Sequence, residues 1–600
     1  KKDPQPSTVR KRGNKTTQPQ NSKAVVQGKN QYKVPEDNKF SFQKFCCYMF
    51  EPDDASYLAV FRVMWGLIMM LEMWGHIAGN FGKTLNSFYQ NPSFTYKYYG
   101  LEWCQVPEDP NVLKIFIVCM FILATFITIG FLYRISSVLF AAGFVYFFGL
   151  EAALYLNHFY LVAVICVMLC FLPCHVYFSV DALIFPGVYQ QTVPKWCLWV
   201  IKAELWVVYT YAGVAKMNLD WLRAEPLRHW LIKRRMYPII GWLFQYEPVV
   251  YWFSWSGLIY DTIVGTLLVV PQTFYLGLGA TMFFHLTNKY VFNIGIFPWL
   301  MIASTCLFFE PYWPRRLLHN IKESPKKHPQ KFKDFKEVKW SQTKVRSLTI
   351  KEKLMLFICF LFLAQQVITP VRHYMYPGNV FWNEHGHRYS WRMKLRDKQC
   401  DGELYTYIPA TKEWFEYPLD NILTPRQYQK FTSRPEFIAQ SVNLAANMIE
   451  TRTNHTSEMY VYAACRVNYR QASMMTNPRI NLNEEGRGIW DWPYDWMTDM
   501  PDLTEEQRAE LPWNFEWNFN WLLKPWESNV PKLKKEQDDN IQQMNALVSS
   551  WKDDFKEWIT KEKFDGDVVL AESKHSHYVN EGRKQKSREQ ALNGLLIFRQ

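Results

Sequence analysis

The chain reads Leu205-Trp206-Val207-Val208-Tyr209-Thr210-Tyr211-Ala212-Gly213-Val214-Ala215-Lys216, an apolar run that ends in a lysine. An ammonium group at membrane depth costs about 3 kcal/mol on insertion scales, so a lysine there usually has a function. Partial desolvation also lowers the pKa of a lysine and can make it a base near neutral pH. The alternative is an anchor at the helix end, whose ammonium reaches the membrane interface. Position alone does not decide between these two interpretations of Lys216.

Similar apolar runs of about 18 residues or more recur along the 600-residue chain and predict membrane-spanning helices. They lie near residues 56–77, 112–133, 153–175, 195–216, 248–270, 290–309 and 351–370, and two shorter runs lie near 136–150 and 273–289. The sequence therefore predicts a polytopic α-helical membrane protein with about nine transmembrane helices and a C-terminal lumenal α+β domain. The first 40 residues are polar and basic, so we expect no secretory signal peptide there.

Two basic segments predict the orientation in the membrane. Residues 1–45 carry eleven Lys/Arg against three Asp/Glu, and residues 315–353 carry thirteen against four. Both segments should be cytoplasmic, and the span after the second then places everything beyond about residue 371 in the lumen. Neither segment has a nucleic-acid-binding signature, so membrane lipid is expected as a partner and nucleic acid is not.

Composition divides the chain into consecutive segments. We expect a disordered basic cytoplasmic tail at 1–45, a transmembrane bundle at 50–310, a basic cytoplasmic loop at 311–350, the last transmembrane helix at 351–370, a lumenal α+β domain at 371–485 and a tryptophan-rich, helical extension at 486–600.

Alternation and apolar spacing predict the elements of the lumenal domain. Strands are expected at 388–395, 403–408 and 459–464, and a helix at 437–449. Apolar residues at helical spacing between 541 and 559 predict an amphipathic helix. The tryptophan clusters at 490–496 and 513–526 are interpreted as core and loop anchors rather than membrane-interface residues.

Three cysteines fall on the predicted lumenal side, where disulfides are permitted. A bridge from Cys104 to Cys400 or to Cys465 would join the first lumenal loop to the C-terminal domain. Asn454 begins a glycosylation sequon in the same region, whereas the sequon at Asn14 lies on the cytoplasmic tail and should be silent. No zinc-type spacing of His and Cys occurs in the sequence, and we expect no metal.

Ionisable residues inside the predicted spans should face the bundle interior and pair with one another. For Arg62, Lys202 and Asp261 we expect structural ion pairs between helices, for example Arg62 with Glu151. Glu151 and His158 are seven residues apart, which predicts that they share one face of a helix.

For Lys216, His158 and His285 we expect a buried site instead. A lysine base and two histidines in an aromatic pocket suit a hydrophobic, acidic small molecule such as a hydroquinone. One sequence cannot show how the spans are arranged, so the convergence of these three residues is a hypothesis.

Short motifs occur in a fixed order over roughly residues 50–485. They include Pro52-Asp53-Asp54-Ala55-Ser56-Tyr57-Leu58-Ala59-Val60-Phe61-Arg62, Leu156-Asn157-His158-Phe159-Tyr160-Leu161, Ala212-Gly213-Val214-Ala215-Lys216 with Asp220-Trp221, Arg228-His229-Trp230-Leu231, Phe284-His285, Tyr389-Ser390-Trp391 and Asn477-Pro478-Arg479-Ile480. Together they resemble the vitamin K-dependent γ-carboxylase family of HTTM-domain membrane enzymes.

The resemblance implies a lyase of the endoplasmic reticulum membrane that uses vitamin K hydroquinone, O2 and CO2, without a metal, to carboxylate glutamate in a secreted protein. Lys216 then corresponds to the catalytic base, and His158 and His285 to site histidines. The motifs and the polar set assign further residues to the substrate or quinone pocket, namely Asn157, Glu151, Trp221, His229 and Arg396.

The sequence also departs from the family pattern. Ala215 stands where animal carboxylases carry a second lysine, Arg396 replaces a histidine, and the 437–449 helix lacks the cysteine expected to pair with Cys104. Residues after about 485 do not resemble the animal enzyme. Two alternatives therefore stay open: a quinol epoxidase without carboxylase activity, and a non-catalytic homologue that is a structural subunit among other membrane subunits. A mitochondrial inner membrane is the alternative location.

Overall fold

A computed structural model describes residues 40–78, 85, 88–89, 92–292, 294–322, 338–484, 487–511, 530–558 and 561. Most of the predicted basic tail, the sequon at Asn14, the centre of the basic loop and the tryptophans at 513–526 lie outside these residues. Of the helix predicted at 541–559, only residue 559 lies outside them.

The described chain is mostly helical. Its α-helices are α1 (Phe42–Tyr48), α2 (Ser56–Ala78), α3 (Pro110–Ile129), α4 (Tyr133–Gly149), α5 (Asn157–Phe171), α6 (Val180–Ile184), α7 (Trp196–Lys216), α8 (Leu219–Leu222), α9 (Leu227–Ile232), α10 (Glu247–Val269), α11 (Phe274–Phe292), α12 (Phe297–Thr305), α13 (Trp313–Lys322), α14 (Ile350–Val371), α15 (Val380–Asn383), α16 (Pro425–Phe431), α17 (Pro435–Thr453), α18 (Glu505–Ala509) and α19 (Val530–Trp558).

Every predicted span overlaps at least one of these helices, and the span predicted at 290–309 covers the end of α11 and the short α12. The helices differ in length and apolarity. Among the described residues, α2, α3, α7 and α14 are long and apolar enough to cross a membrane, and α4 and α5 are shorter apolar helices, as is the segment that begins with α12. The prediction of a mostly helical protein with candidate membrane spans is therefore confirmed, whereas the count of about nine spans stays a prediction.

Local sequence explains where these helices begin and end. Asp109 caps α3 by accepting a hydrogen bond from the backbone of Asn111, and Pro110 occupies its first turn. The helix ends at Gly130, whose φ of 71° is left-handed. A side chain at Gly130 would also meet the Arg62 guanidinium, so this position needs glycine for two reasons.

Small residues allow close contact between the helices of the bundle. A Cβ atom at Gly66 of α2 would lie 2.3 Å from the Thr128 hydroxyl oxygen of α3. A Cβ atom at Gly213 of α7 would lie 2.4 Å from the Thr262 hydroxyl oxygen of α10. Because lipid offers helices no hydrophobic incentive to associate, such close backbone packing is the usual source of their attraction. The contact at Gly213 fixes α7 and α10, which carry the residues of the site.

Two antiparallel sheets accompany the helices. Strands β1 (Pro52–Asp54) and β2 (Thr192–Pro194) pair near the beginnings of α2 and α7. The C-terminal domain contains a four-stranded sheet in the order β4-β3-β5-β6, built from β3 (Lys398–Ile408), β4 (Glu413–Glu416), β5 (Glu458–Val467) and β6 (Ser473–Met474). Helix α17 packs against β5, and α19 covers an aromatic cluster of the sheet through Phe555.

The predicted strands at 403–408 and 459–464 lie within β3 and β5, but the strand predicted at 388–395 is wrong. That segment forms turns, with left-handed backbone at Tyr389, Trp391 and Lys394. Three positive φ values within six residues are incompatible with an extended strand. The alternation of polar and apolar residues arises instead because these turns lie between the bundle and the sheet.

The disulfide also differs from the prediction. Cys400 of β3 and Cys465 of β5 lie directly opposite each other in the antiparallel register and are bonded to each other. The predicted bridge from Cys104 to either of them is therefore wrong. Cys104 is a buried free thiol that packs against Gly149 at the end of α4, and it cannot reach a cysteine that already has a partner.

Hydrogen bonds join the C-terminal domain to the bundle. The Tyr96 hydroxyl lies 2.8 Å from the Ser441 hydroxyl of α17, and the backbone N–H of Lys97 donates to Gln440 Oε1 at 2.8 Å. Asp220 of α8 forms a buried ion pair with Arg470 at 2.9 Å. These contacts hold the turns at 386–396 over one end of the bundle, where the candidate site lies.

We expect peptide mapping of unreduced protein by mass spectrometry to recover Cys400 linked to Cys465, with Cys104 alkylated only after denaturation. The bond closes a loop with a sequence separation of 65, so the C400S/C465S double variant should lose about 4 kcal/mol of stability. Thermal melting beside a C104S control measures this loss. A linked peptide that contains Cys104 would contradict the pairing.

Candidate functional site

A cavity of about 600 Å³ lies between the bundle and the C-terminal domain. Its walls come from α7, α10 and α11, from the first turn of α5, and from the loop and first turn of α12. Lys216, His158 and His285 all line this cavity, together with Asn157 and Trp221. The folded chain thus brings together the three residues that the sequence singled out and two of the predicted pocket residues.

Lys216 is the last residue of α7 and is 5% exposed. Its Nζ atom lies 2.5 Å from Asp261 Oδ2 on α10, donates to the Ala212 carbonyl at 3.2 Å, and lies 5.3 Å from the centre of the Trp221 ring. The ammonium is therefore held inside the protein and does not extend to the membrane interface. The ion pair expected for Asp261 exists, and its partner is the proposed base itself.

His285 projects from α11 and is 1% exposed. Its Nε2 atom lies 3.0 Å from the Tyr209 hydroxyl, which fixes the ring, and its buried Nδ1 atom has no hydrogen-bond partner within the described part of the chain. A buried polar atom without a partner is costly, so a ligand that satisfies Nδ1 would be stabilised at this position.

His158 lies in the first turn of α5 and shares an aromatic contact with His285. The Phe297 ring lies 6.2 Å from the His158 ring and 5.8 Å from the His285 ring, so one phenyl group contacts both histidines. Asn157 accepts a hydrogen bond from the Tyr155 hydroxyl at 2.9 Å and donates to the Arg392 carbonyl at 3.5 Å. The first turn of α5 is therefore oriented by the C-terminal domain.

The C-terminal domain contributes a basic side to the cavity, through His387, Lys394 and Arg434. Burial and the neighbouring Arg388 lower the pKa of Arg434 to about 10, and burial lowers the pKa of Lys394. Lys430, close to Arg434 and Arg396, has a pKa lowered to about 7 by burial and by their charges. Such concentrated positive charge favours an anion in the adjacent cavity.

Glu151 does not line the cavity among the described residues. It precedes α5, which begins at Asn157, so the prediction that Glu151 and His158 share a helix face is wrong. Its carboxylate accepts hydrogen bonds from the backbone of Tyr96 and Ala153 and from the Gln427 amide. Burial raises the pKa of Glu151 to about 7, although these donors oppose the shift. The residue joins the bundle to α16 instead.

His229 and Arg396, also predicted for the pocket, are absent from the described lining of the cavity. The His229 ring stacks on Tyr469 with centroids 3.2 Å apart, and Arg396 forms an ion pair with Glu384. Both residues belong to buried contacts around the cavity. Within the turns at 386–396, Lys394 faces the cavity, whereas Arg396 faces Glu384.

The ion pair predicted between Arg62 and Glu151 is wrong. Arg62 does not pair with Glu151: it donates to the carbonyls of Cys174 at 2.8 Å and Phe178 at 2.6 Å. Backbone carbonyls at the end of α5 replace the carboxylate, because Arg62 lies beside Gly130 at the other end of the bundle from Glu151. The Lys202 ammonium lies over the rings of Trp199 and Phe308.

Sequence reasoning missed several residues that line the cavity, among them Glu72, Lys394 and Arg434. Glu72 is an acid within the apolar run of α2, so its intramembrane position was a usable signal. Lys394 and Arg434 lie in a polar domain, where a basic residue is ordinary. Only the fold places those two against the bundle.

Two family models match the chain. The first is the HTTM domain, which matches residues 50–313 and defines the protein as an HTTM-domain membrane protein. The second is the vitamin K-dependent gamma-carboxylase, lumenal domain, which matches residues 351–502. Both domains, in this order, match the family that the motifs indicated, the vitamin K-dependent γ-carboxylase family. No solved structure matches the chain.

The ion pair between Lys216 and Asp261 should be essential for stability. Asp261→Asn removes the charge that compensates the buried ammonium, so we expect a loss of about 3–5 kcal/mol. The double variant K216M/D261L removes both charges and should recover most of that loss. Thermal melting in detergent measures the effect, with the exposed ion pair of Arg316 and Glu310 as control. Equal stability of D261N and wild type would contradict the pairing.

Proposed function

We propose that the protein is a vitamin K-dependent γ-carboxylase-like membrane enzyme, which couples oxygenation of vitamin K hydroquinone to its epoxide with carboxylation of protein glutamate. The observation that carries the proposal is the single cavity lined by Lys216, His158 and His285 on one side and by Lys394 and Arg434 on the other. Such a cavity combines a base within the membrane bundle with cations that suit a carboxylate.

The cavity suits a quinol in size and chemistry. Its volume of about 600 Å³ falls in the range of small-molecule sites, and its lining includes aromatic side chains such as Phe284, Phe297 and Trp252. His285 Nδ1 is a buried polar atom available to a hydroxyl group. Bound vitamin K hydroquinone would supply an acidic hydroxyl and, on reaction with oxygen, the basicity needed to remove a glutamate γ-proton.

Lys216 and Asp261 act together as the proton acceptor in this proposal. At 2.5 Å, the lysine ammonium can pass its proton to the Asp261 carboxylate, which leaves a neutral amine. In a site with little water this neutral pair lies close in free energy to the ion pair, so the proton can move between the two groups. The amine nitrogen of Lys216 then accepts a hydroxyl proton, and the deprotonated hydroxyl group compensates the charge of the ammonium that forms while Asp261 keeps its proton.

The basic side of the cavity holds the second substrate. Lys394 and Arg434 would bind the carboxylate of a substrate glutamate, and their partial burial strengthens the interaction. They reach the cavity from the side opposite the bundle, so a polypeptide in the lumen could present its glutamate without entering the membrane. This is the proposed route for a secreted protein substrate.

The end of the cavity near Trp221 is closed by reciprocal hydrogen bonds. The Trp221 indole donates to the Ser254 carbonyl at 2.9 Å, and the Ser254 hydroxyl donates to the Trp221 carbonyl at 2.6 Å. These bonds hold the segment after Lys216 against α10. Exclusion of water at this point matters because water would quench a strong base.

The two alternatives predict different cavities. A structural subunit needs no lined cavity around Lys216, so the volume and the convergent polar groups favour an enzyme. A quinol epoxidase without carboxylase activity needs the lysine and histidines but not a carboxylate site. Lys394 and Arg434 therefore favour the carboxylase. The epoxidase stays the second candidate because of Ala215 and because Arg396 is not among the described residues that line the cavity.

The proposed location is the endoplasmic reticulum membrane, with the N-terminus cytoplasmic and the C-terminal domain lumenal. The Cys400–Cys465 disulfide and the exposed Asn454, which ends α17, support an oxidising and glycosylating compartment. The mitochondrial inner membrane is the alternative. The domain limits proposed from composition remain part of this hypothesis, as do other membrane subunits as partners.

Lys216→Ala should abolish conversion of reduced vitamin K to its epoxide by the purified protein, because no other lysine among the described residues pairs with Asp261. We expect a loss of at least about 100-fold, typical of a missing general base. The assay measures epoxide with oxygen, bicarbonate and a glutamate peptide, and Lys202→Ala is the matched control on the same helix. Epoxide from well-folded Lys216→Ala would overturn the assignment.

Arg434→Gln should raise the KM for the glutamate peptide by about 10- to 100-fold. This change corresponds to the binding free energy of one hydrogen bond to a charged group. The KM for the quinol should change little. Arg426→Gln on α16 is the control, because Arg426 is exposed and packs on Phe88. If wild type forms epoxide without any carboxyglutamate, the epoxidase alternative is correct. If Arg434→Gln alters both KM values equally, the residue has only a structural role.

A further inference from the structure

A second cavity, of about 330 Å³, lies behind the segment that carries Lys216. Residues 214, 215, 217 and 218 line it on one side, and residues 370–381 line it on the other, with Ser390 and Arg392. The larger cavity of the candidate site is called the reaction cavity below. Of the two cavities, as the described residues line them, Lys216 lines only the reaction cavity. The last turn of α7 therefore separates two cavities that differ in chemistry.

Arg392 is the cation of this second cavity. It donates through Nη2 to His373 Nε2 at 2.7 Å, and His373 Nδ1 lies 2.9 Å from the Pro370 carbonyl. The second contact makes Nδ1 the protonated nitrogen of His373, so the imidazole is neutral and orients the arginine without compensating its charge. The Phe381 ring lies 5.4 Å from the guanidinium carbon.

The charge on Arg392 has no acidic partner in the cavity. No Asp or Glu is among the described residues that line it, and the buried Nε atom of Arg392 makes no hydrogen bond within the described chain. Burial lowers the pKa of Arg392 to about 10. An arginine that is partly desolvated without a carboxylate needs an anion from outside the chain, and its planar donors match a phosphate.

The rim of the cavity indicates where the anion comes from. Met217 is 54% exposed, Val371 is 38% exposed and Tyr374 is 77% exposed, and all three line the cavity. Helix α14, which ends at Val371, has only 11% of its most apolar stretch buried inside the protein. Large exposed apolar side chains at the end of a lipid-facing helix mark the membrane interface. Lipid headgroups lie at this depth.

We propose that this cavity binds the anionic headgroup of a phospholipid, with Arg392 on the phosphate and the acyl chains along the exposed surfaces of α7 and α14. The Arg392 donors and the Ser390 side of the cavity face the headgroup, while Met217, Val371 and Tyr374 contact the glycerol and upper chains. The site is separate from the cavity of the proposed reaction, because none of its described polar residues lines that cavity.

Native mass spectrometry of the purified protein tests the site. The probes are short-chain phosphatidylglycerol, phosphatidylcholine of the same chain length, and inorganic phosphate. We expect one phosphatidylglycerol to bind more tightly than phosphatidylcholine and to resist displacement by millimolar inorganic phosphate. Arg392→Gln should weaken phosphatidylglycerol binding by about tenfold or more, the value of a charge-assisted pair. Lys233→Gln, which removes an exposed charge away from the cavity, should bind as wild type does.

A second variant keeps the test decisive if Arg392→Gln does not fold. Tyr374→Glu adds a negative charge at the exposed rim, where it should not disturb packing, and it should weaken binding of the anionic lipid but not of phosphatidylcholine. Three results would overturn the proposal: equal binding of the two lipids, displacement of the lipid by inorganic phosphate, or unchanged binding by Tyr374→Glu. The second of these would assign the cavity to a free anion.

Discussion

The ion pair between Lys216 and Asp261 is the constraint on which the site depends. Neither charge is stable alone in an apolar bundle, so α7 and α10 must approach closely at this point. Gly213 permits that approach, because any larger residue would collide with Thr262. The helix then ends, and Trp221 returns the chain against α10. The position of the base, the shape of the cavity and the closure of its end all follow from one buried pair.

The C-terminal domain completes a site that the membrane bundle alone does not provide. The bundle supplies the lysine, the two histidines and an aromatic lining, whereas the turns at 386–396 and the start of α17 supply Lys394 and Arg434. Asn157 connects the two parts, since it hydrogen-bonds to Tyr155 and to the Arg392 carbonyl. The proposed reaction, with one lipid-soluble and one polypeptide substrate, would use this arrangement, in which each substrate approaches from its own phase.

The sequence predicted the bundle half of the site better than the other half, for a physical reason. A lysine or histidine inside an apolar run is costly and therefore stands out, which is why Lys216, His158 and His285 could be found. Lys394 and Arg434 lie among many polar residues, and only tertiary contacts distinguish them. The same limit explains the disulfide: the register of β3 and β5 joins Cys400 to Cys465, and strand register was not visible in the sequence. The turns at 388–395 resembled a strand because left-handed backbone at non-glycine residues leaves no mark on the sequence.

Residues of the last turn of α7 line two different cavities. Lys216 lines the reaction cavity, while Ala215 and Met217 line the cavity that contains Arg392. The Arg392 carbonyl accepts the hydrogen bond from Asn157, which begins α5 beside His158. A ligand that orders Arg392 therefore also orders the segment that positions Asn157, and a shift of Met217 changes the geometry of the adjacent lysine. The proposed lipid site and the reaction cavity therefore meet at this turn, which contributes residues to both.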